Sequence, residues 1–232
     1  MFVRVADDDP VSALPVLRLE QAVERGKAAS LGRIPIGVGH QDATEDVGTF
    51  ATDDAIGFDP FPVLRAMHVA GVHVVVMGQV AGIMHGSMEL TGDLDLLWSG
   101  EASEAEGLAV AFRALGAALT DDNGKTLMCD GQALVAPKID FRTTSASGDC
   151  CTPQLPWGPL PIKDYIANSC VASRADGTLI RFVSREALVA MRLAVGRSKD
   201  LRRAAELLEG DHRPAVIRSP RGTGCRASSV RQ

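Results

Sequence analysis

The sequence predicts an α/β fold, a short mixed β-sheet flanked by helices, with a mainly helical C-terminal part. Three observations predict it. His73–Met77 is a β-branched run suited to a buried strand, ended by Gly78 and followed by Gln79–His85, the length of one short helix. Asp93–Trp98 alternates Asp93 and Asp95 with Leu94 and Leu96, so period two sets both carboxylates on one face and the leucines on the other. Residues 101–119 carry Leu108, Ala111, Leu115 and Leu119 at helical spacing, with acids in the first turns where the helix dipole favours them.

Taken in order, residues 1–55 read as a poorly ordered extension holding one helix, Val16–Arg25. Its Gly-rich acidic stretch is either a solvated tail or a segment folded over a basic active site. The domain proper spans residues 56–210. Pro60 and Pro62 lead into a helix, Pro62–Ala70, closed by Gly71. The strand–helix–strand unit and the 101–119 helix follow. Lys125–Thr144 reads as β structure, with Asp130-Gly131 as a turn and Asp140 between Ile139 and Phe141 in its second half. Residues 145–161 read as a loop. After Ile162–Ala172, Asp176-Gly177 marks a turn and Thr178–Val183 a strand. Ser184 caps a helix interrupted at Gly196 and resumed by Lys199–Leu208. Residues 211–232 form a basic tail expected to be disordered.

Composition narrows the classes of function. A chain of 232 residues can build one domain with a sizeable core, and a net charge of −5 supplies no overall basic field for nucleic acid. The N-terminus has no apolar signal region, and the longest apolar run, Ala70–Met84, is too short to span a bilayer. No membrane partner is expected, and a cytoplasmic location is. Five cysteines lack CxxC or Cys/His metal spacing and read as reduced thiols, with Cys150 and Cys151 as a loop pair.

The chemistry is concentrated between Met77 and Leu97. Two acids facing one way repel each other unless a cation sits between them, and hard carboxylate oxygens suit Mg²⁺. Gly78 lets backbone approach a phosphate, and the start of the following helix offers free N–H groups. Asp140, a lone acid in an apolar strand, needs a partner to be buried without cost. His85 reads as a satisfied histidine supporting the following loop rather than as a base.

These residues resemble the nucleotidyltransferase signature: Met77-Gly78-Gln79, thirteen residues, then Asp93-Leu94-Asp95-Leu96. The segment Val74–Leu97, with His85-Gly86 and Thr91, is similar to minimal nucleotidyltransferases of the AbiEii type, which include toxins of bacterial toxin–antitoxin pairs. A distal match stands at Met191-Arg192 and Gly196-Arg197-Ser198-Lys199-Asp200. Two positions depart: Gln79 stands where glycine or serine is usual, and Glu89 where arginine is usual.

The resemblance implies a nucleotidyltransferase fold and transfer of an NMP from an NTP to a hydroxyl on RNA (tRNA) or protein, with a cognate antitoxin as a further partner. It implies Asp93, Asp95 and Asp140 as catalytic carboxylates holding two Mg²⁺ ions, for which Mn²⁺ substitutes. Gly78, Gln79, Ser87, Arg192, Arg197 and Lys199 are the implied nucleotide-binding residues. The two departures support a second reading, a weakened or inactive protein of the same fold that binds nucleotide or a partner protein.

Overall fold

The structure, a computed structural model, describes residues 12–39 and 48–209. It is a mixed α/β fold around one eight-stranded sheet. The strands are β1 (Val75–Val76), β2 (Leu96–Leu97), β3 (Ala118–Thr120), β4 (Thr126–Leu127), β5 (Lys138–Arg142), β6 (Ser147–Cys151), β7 (Cys170–Ser173) and β8 (Leu179–Phe182), in the order β4-β3-β5-β6-β2-β1-β8-β7. β1 pairs parallel with β8, and β2 parallel with β6; β1 and β2 are antiparallel to each other, as are the remaining pairs.

Among the described residues, eight α-helices flank the sheet: α1 (Leu14–Ala29), α2 (Phe61–Val69), α3 (Gly78–Met84), α4 (Ala102–Ala114), α5 (Gly131–Leu134), α6 (Ile162–Ala167), α7 (Arg185–Val195) and α8 (Ser198–Glu209). Among the described residues, α7 and α8 form the helical C-terminal part. α1 packs on α3, α3 on α7 and α7 on α8; α2 packs on α4, and α4 on α5. The core between them holds Val75, Val76, Leu94, Leu96, Leu97, Trp98, Phe112 and Phe141, all nearly inaccessible to water. Burying such side chains stabilises the fold by roughly 1.5–3 kcal/mol each.

The alternation at the acidic strand is as expected. Leu94 and Leu96 are fully buried, whereas Asp93 and Asp95 are only partly so, although ladder pairing begins at Leu96. Ser184 caps α7 by accepting from the Ala187 amide at 3.2 Å, and Gly196, at φ 72°, ends that helix. The helix expected at Pro62–Ala70 is α2, with Gly71 just past its end at φ 69°.

Several expectations are corrected. The helix over 101–119 stops at Leu115, where Gly116 adopts φ 60°, and Leu119 instead enters β3 opposite Phe141. Asp130 does not make a hairpin turn with Gly131. Its carboxylate accepts from the Ala133 amide at 2.9 Å and caps α5. Residues 147–151, read as loop, are the interior strand β6, so Cys150 and Cys151 are buried strand residues. The stretch Ser-Gly-Asp-Cys-Cys has little intrinsic strand signal, and pairing to β5 and β2 on both sides overrides it. Burial, with Asp149 beside them, pushes both thiols far up, so they stay protonated.

The described parts of the 1–55 segment, residues 12–39 and 48–55, also contribute to the fold. α1 is longer than Val16–Arg25 and buries Val16, Leu19, Ala22 and Val23. Two 3₁₀ turns, Thr49–Ala51 and Asp53–Ala55, follow. The 211–232 tail and Cys225 lie outside the described residues. Among the described residues no helix is long and apolar enough to cross a membrane.

Candidate functional site

A cavity of about 880 Å³ opens where β1, β2, β5 and β6 meet α7 and α8. Asp93, Asp95 and Asp140 all line it, as do Gly78, Gln79, Arg192, Arg197 and Lys199. Of the catalytic and nucleotide-binding residues that the resemblance implies, Ser87 alone is not on its wall.

The acidic side is assembled around Gly78. The chain enters α3 there at φ 61°, which favours glycine, and the Met77 amide donates to the Asp95 carbonyl at 2.9 Å. The Asp95 carboxylate lies directly over the Gly78 Cα, where a Cβ would overlap it. Glycine at 78 therefore both shapes the turn and makes room for the acid. Asp93 is fixed differently: its Oδ1 accepts from the Thr91 hydroxyl at 2.6 Å and the Thr49 hydroxyl at 2.8 Å. Thr49 Oγ1 in turn accepts from the Gly92 amide at 3.1 Å. Thr49 belongs to the segment read as an extension, and it reaches the site.

Asp140 sits on β5 with Lys138, one alternation apart, while Ile139 and Phe141 are buried on the opposite face. The β5–β6 register sets Asp149 directly across from Asp140. Like charges opposite each other are unfavourable. Lys138 Nζ answers them, at 3.2 Å from Asp140 Oδ1, 3.4 Å from Asp149 Oδ2 and 3.5 Å from Asp122 Oδ1. Burial, then Asp149, raises the Asp140 carboxyl to about 6 despite the lysine, because one ammonium serves several acids.

The basic side comes from α7 and α8. Lys199, Asp200 and Arg203 are buried along one face of α8 and line the cavity. Burial, with Arg197 and Arg203 nearby, lowers the Lys199 ammonium from its ordinary value. Arg197 donates to both oxygens of Asp200, at 2.6 and 3.4 Å. Arg203 Nε is buried with no hydrogen-bond partner.

Arg192 is held by protein groups. Its guanidinium donates to the Arg203 carbonyl at 2.9 Å and to Gln79 Oε1 at 2.8 Å. Gly82 leaves the space, since a Cβ there would meet Arg192 Nη2 at 2.5 Å. Burial lowers the Arg192 group to about 10, so it remains charged at neutral pH.

Both departures from the resemblance belong to this network. Gln79 Nε2 donates to Ser87 Oγ at 3.0 Å and to the Glu89 carbonyl at 2.8 Å. Ser87 donates to Glu206 on α8 at 2.8 Å. The Glu89 carboxylate pairs with Arg203 and, at 3.6 Å, with Arg202. Burial works to raise its pKa, but the Arg203 hydrogen bond and charge outweigh that and hold it low. Glu89 is absent from the cavity wall. His85 is likewise structural: Nε2 lies 2.9 Å from the Val183 carbonyl, and burial lowers its pKa.

Thr49, Asp122, Lys138, Asp149 and Arg203 are cavity residues that sequence reasoning did not select, and Asp200, quoted in the distal motif, joins them on the wall. Two signals were available. Lys138 precedes Asp140 by one strand period, and Arg203 follows Lys199 by four residues, one helical face. Asp149 was hidden because its strand reads as loop.

The acids fit Mg²⁺ by donor type, and the cradle at Gly78 holds Asp95 where only a glycine admits it. Among the described residues, no three His, Cys, Asp or Glu side chains are grouped closely enough to hold one ion as they stand. No protein-family model matches the chain, and no curated protein does.

Proposed function

We infer that the chain is a Mg²⁺-dependent nucleotidyltransferase of the AbiEii-like kind, transferring an NMP from an NTP to a hydroxyl on RNA, such as tRNA, or on protein. The observation that carries this reading is one cavity with Asp93, Asp95 and Asp140 among its acids and Arg197, Lys199 and Arg203 among its bases. A triphosphate needs both halves. Cations balance its charge, and carboxylates bring the divalent ion that neutralises phosphate oxygens in an in-line displacement. The signature at Gly78 and Asp93-Leu94-Asp95 supports the same fold and chemistry, and with them a role as the toxin of a cytoplasmic toxin–antitoxin pair.

In this mechanism Asp93 and Asp95 would hold Mg²⁺, which supplies Lewis-acid stabilisation when bound; the resemblance implies two ions. Gly78 gives the phosphates close access to backbone. Lys199 and Arg203 neutralise the triphosphate, and Arg197 lies beside them. Asp140, raised to about 6, accepts the proton of the attacking hydroxyl. Arg192 and Gln79 set the position of the Gly78 turn against α8, and Ser87 anchors the neighbouring loop to Glu206.

The network of Gln79, Arg192, Glu89 and Arg203 favours the second reading, a weakened or inactive relative, because it ties cationic groups to protein acceptors. Incubation with each labelled NTP and pooled RNA and protein decides between them. Mg²⁺-dependent label transfer that Asp93→Asn abolishes is the expected result. Nucleotide binding without transfer from any of the four NTPs would establish the inactive reading.

A further inference from the structure

The hydroxyls that hold Asp93 come from two distant parts of the chain. Thr91 is its near neighbour in sequence, whereas Thr49 reaches it from the 3₁₀ turn Thr49–Ala51. Both donate to one atom, Asp93 Oδ1, at 2.6 and 2.8 Å. The two hydroxyl oxygens lie 2.8 Å from each other, and the Gly92 amide donates to Thr49 Oγ1 at 3.1 Å. We propose that Thr49 is a positioning residue of the metal site, holding the Asp93 carboxylate in the orientation that takes a divalent ion. The inference rests on the metal-dependent nucleotidyltransferase reading and deepens it.

The segment that carries Thr49 is built into the site from several sides. The chain at Gly92 passes so close to the second turn, Asp53–Ala55, that a Cβ there would meet the Ala55 backbone nitrogen at 2.7 Å. Arg33 donates to the carbonyls of Phe50, Ala51 and Thr52 at 2.8–3.0 Å, and the Thr52 hydroxyl donates to the Thr49 carbonyl at 2.6 Å. Asp54 pairs with Arg142, which ties the second turn to β5, the strand of Asp140. Gly48 lies against the Glu89–Arg203 pair, where a Cβ would stand 3.0 Å from Arg203 Nη2. The Thr49 hydroxyl is therefore carried by backbone anchored on both the acidic and the basic side of the cavity. A carboxylate otherwise rotates about its Cβ–Cγ bond. Two donors on one oxygen arrest that rotation, which removes an ordering cost that ion binding would have to bear. Neutral hydroxyls do so without cancelling the negative charge that attracts the ion.

The test is a titration of the full chain and its variants with Mn²⁺ alone, followed by electron paramagnetic resonance and calorimetry, with a thermal melt of each. Thr49→Val keeps the shape of the side chain and removes the hydroxyl; it should weaken Mn²⁺ binding about tenfold, the effect usual for a partner of a metal ligand. Thr49→Ser, which keeps the hydroxyl, should bind within about twofold of wild type. Ser184→Ala removes the cap of α7, away from Asp93, so it should lower the thermal midpoint and leave Mn²⁺ affinity unchanged. That contrast separates positioning from a general loss of stability. Equal affinity in wild type and Thr49→Val, a loss in Thr49→Ser as large as in Thr49→Val, or the same loss in Ser184→Ala would overturn the proposal while leaving the metal-dependent reading intact. No saturable Mn²⁺ binding by wild type would overturn both. Should Thr49→Val fail to fold, Thr49→Ala carries the same expected loss and the same refutation.

Discussion

At Gly78 a backbone requirement and a side-chain requirement coincide. The φ of 61° strains any other residue, and the Asp95 carboxylate fills the space a Cβ would take. Gly78→Ala should therefore cost at least about 1 kcal/mol from backbone alone. It should also weaken Mn²⁺ binding, because Asp95 must move. A fall in thermal midpoint with unchanged Mn²⁺ affinity would show that Asp95 is not a ligand. Asp140 gives a pH signature. Its folded pKa of about 6 lies above the ordinary carboxylate value, so its contribution to stability is present at acidic pH and lost as pH rises through about 6. Asp140→Asn should flatten the stability curve between roughly pH 4 and 6 in metal-free urea titrations. An unaltered slope would contradict the crowding with Asp149.

Between α7 and α8, Arg192 and Lys199 both line the cavity, and the Arg192 guanidinium is held by Gln79 Oε1 and the Arg203 carbonyl. Arg192→Ala should leave buried acceptors unsatisfied, at about 1–3 kcal/mol each, and appear first as a lowered thermal midpoint. Lys199→Ala should leave the midpoint nearly unchanged and weaken triphosphate binding about tenfold, with nucleoside binding unaffected. Calorimetry and thermal melts on both variants separate the roles; the reverse pattern would exchange them. Much of this was legible in the sequence. The Gly78–Asp95 unit follows from composition and period, and Ser184 and Gly196 mark the limits of α7. What was not legible is pairing. Glu89 reads either as an acid against the phosphates or as the partner of a base on the C-terminal helix until Arg203 stands beside it, and Asp149 has no strand signal until β5 and β2 flank it. Both depend on contacts between residues far apart in the chain, which local propensity does not encode.

For the molecule as a whole, α1 and the turn carrying Thr49 make the N-terminal segment part of the core and of the site. Leu19 is fully buried, so Leu19→Ala should cost about 2–5 kcal/mol and lower the urea midpoint. A negligible change would mean that α1 docks only loosely. The sheet order has a consequence for the order in which the chain becomes complete. β1, which leads directly into the Gly78 turn, takes one neighbour from β8, over a hundred residues later. Contacts of such separation form slowly, because a long loop must close first. A growing polypeptide therefore carries β1 as an unpaired edge, open to misassociation, until residue 182 has left the ribosome. Arg192 and Lys199, synthesised later still, close the cavity last. Amide exchange during refolding should then find Val76 protected only in step with Phe182, so that the walls of the cavity come together only once β8 has paired.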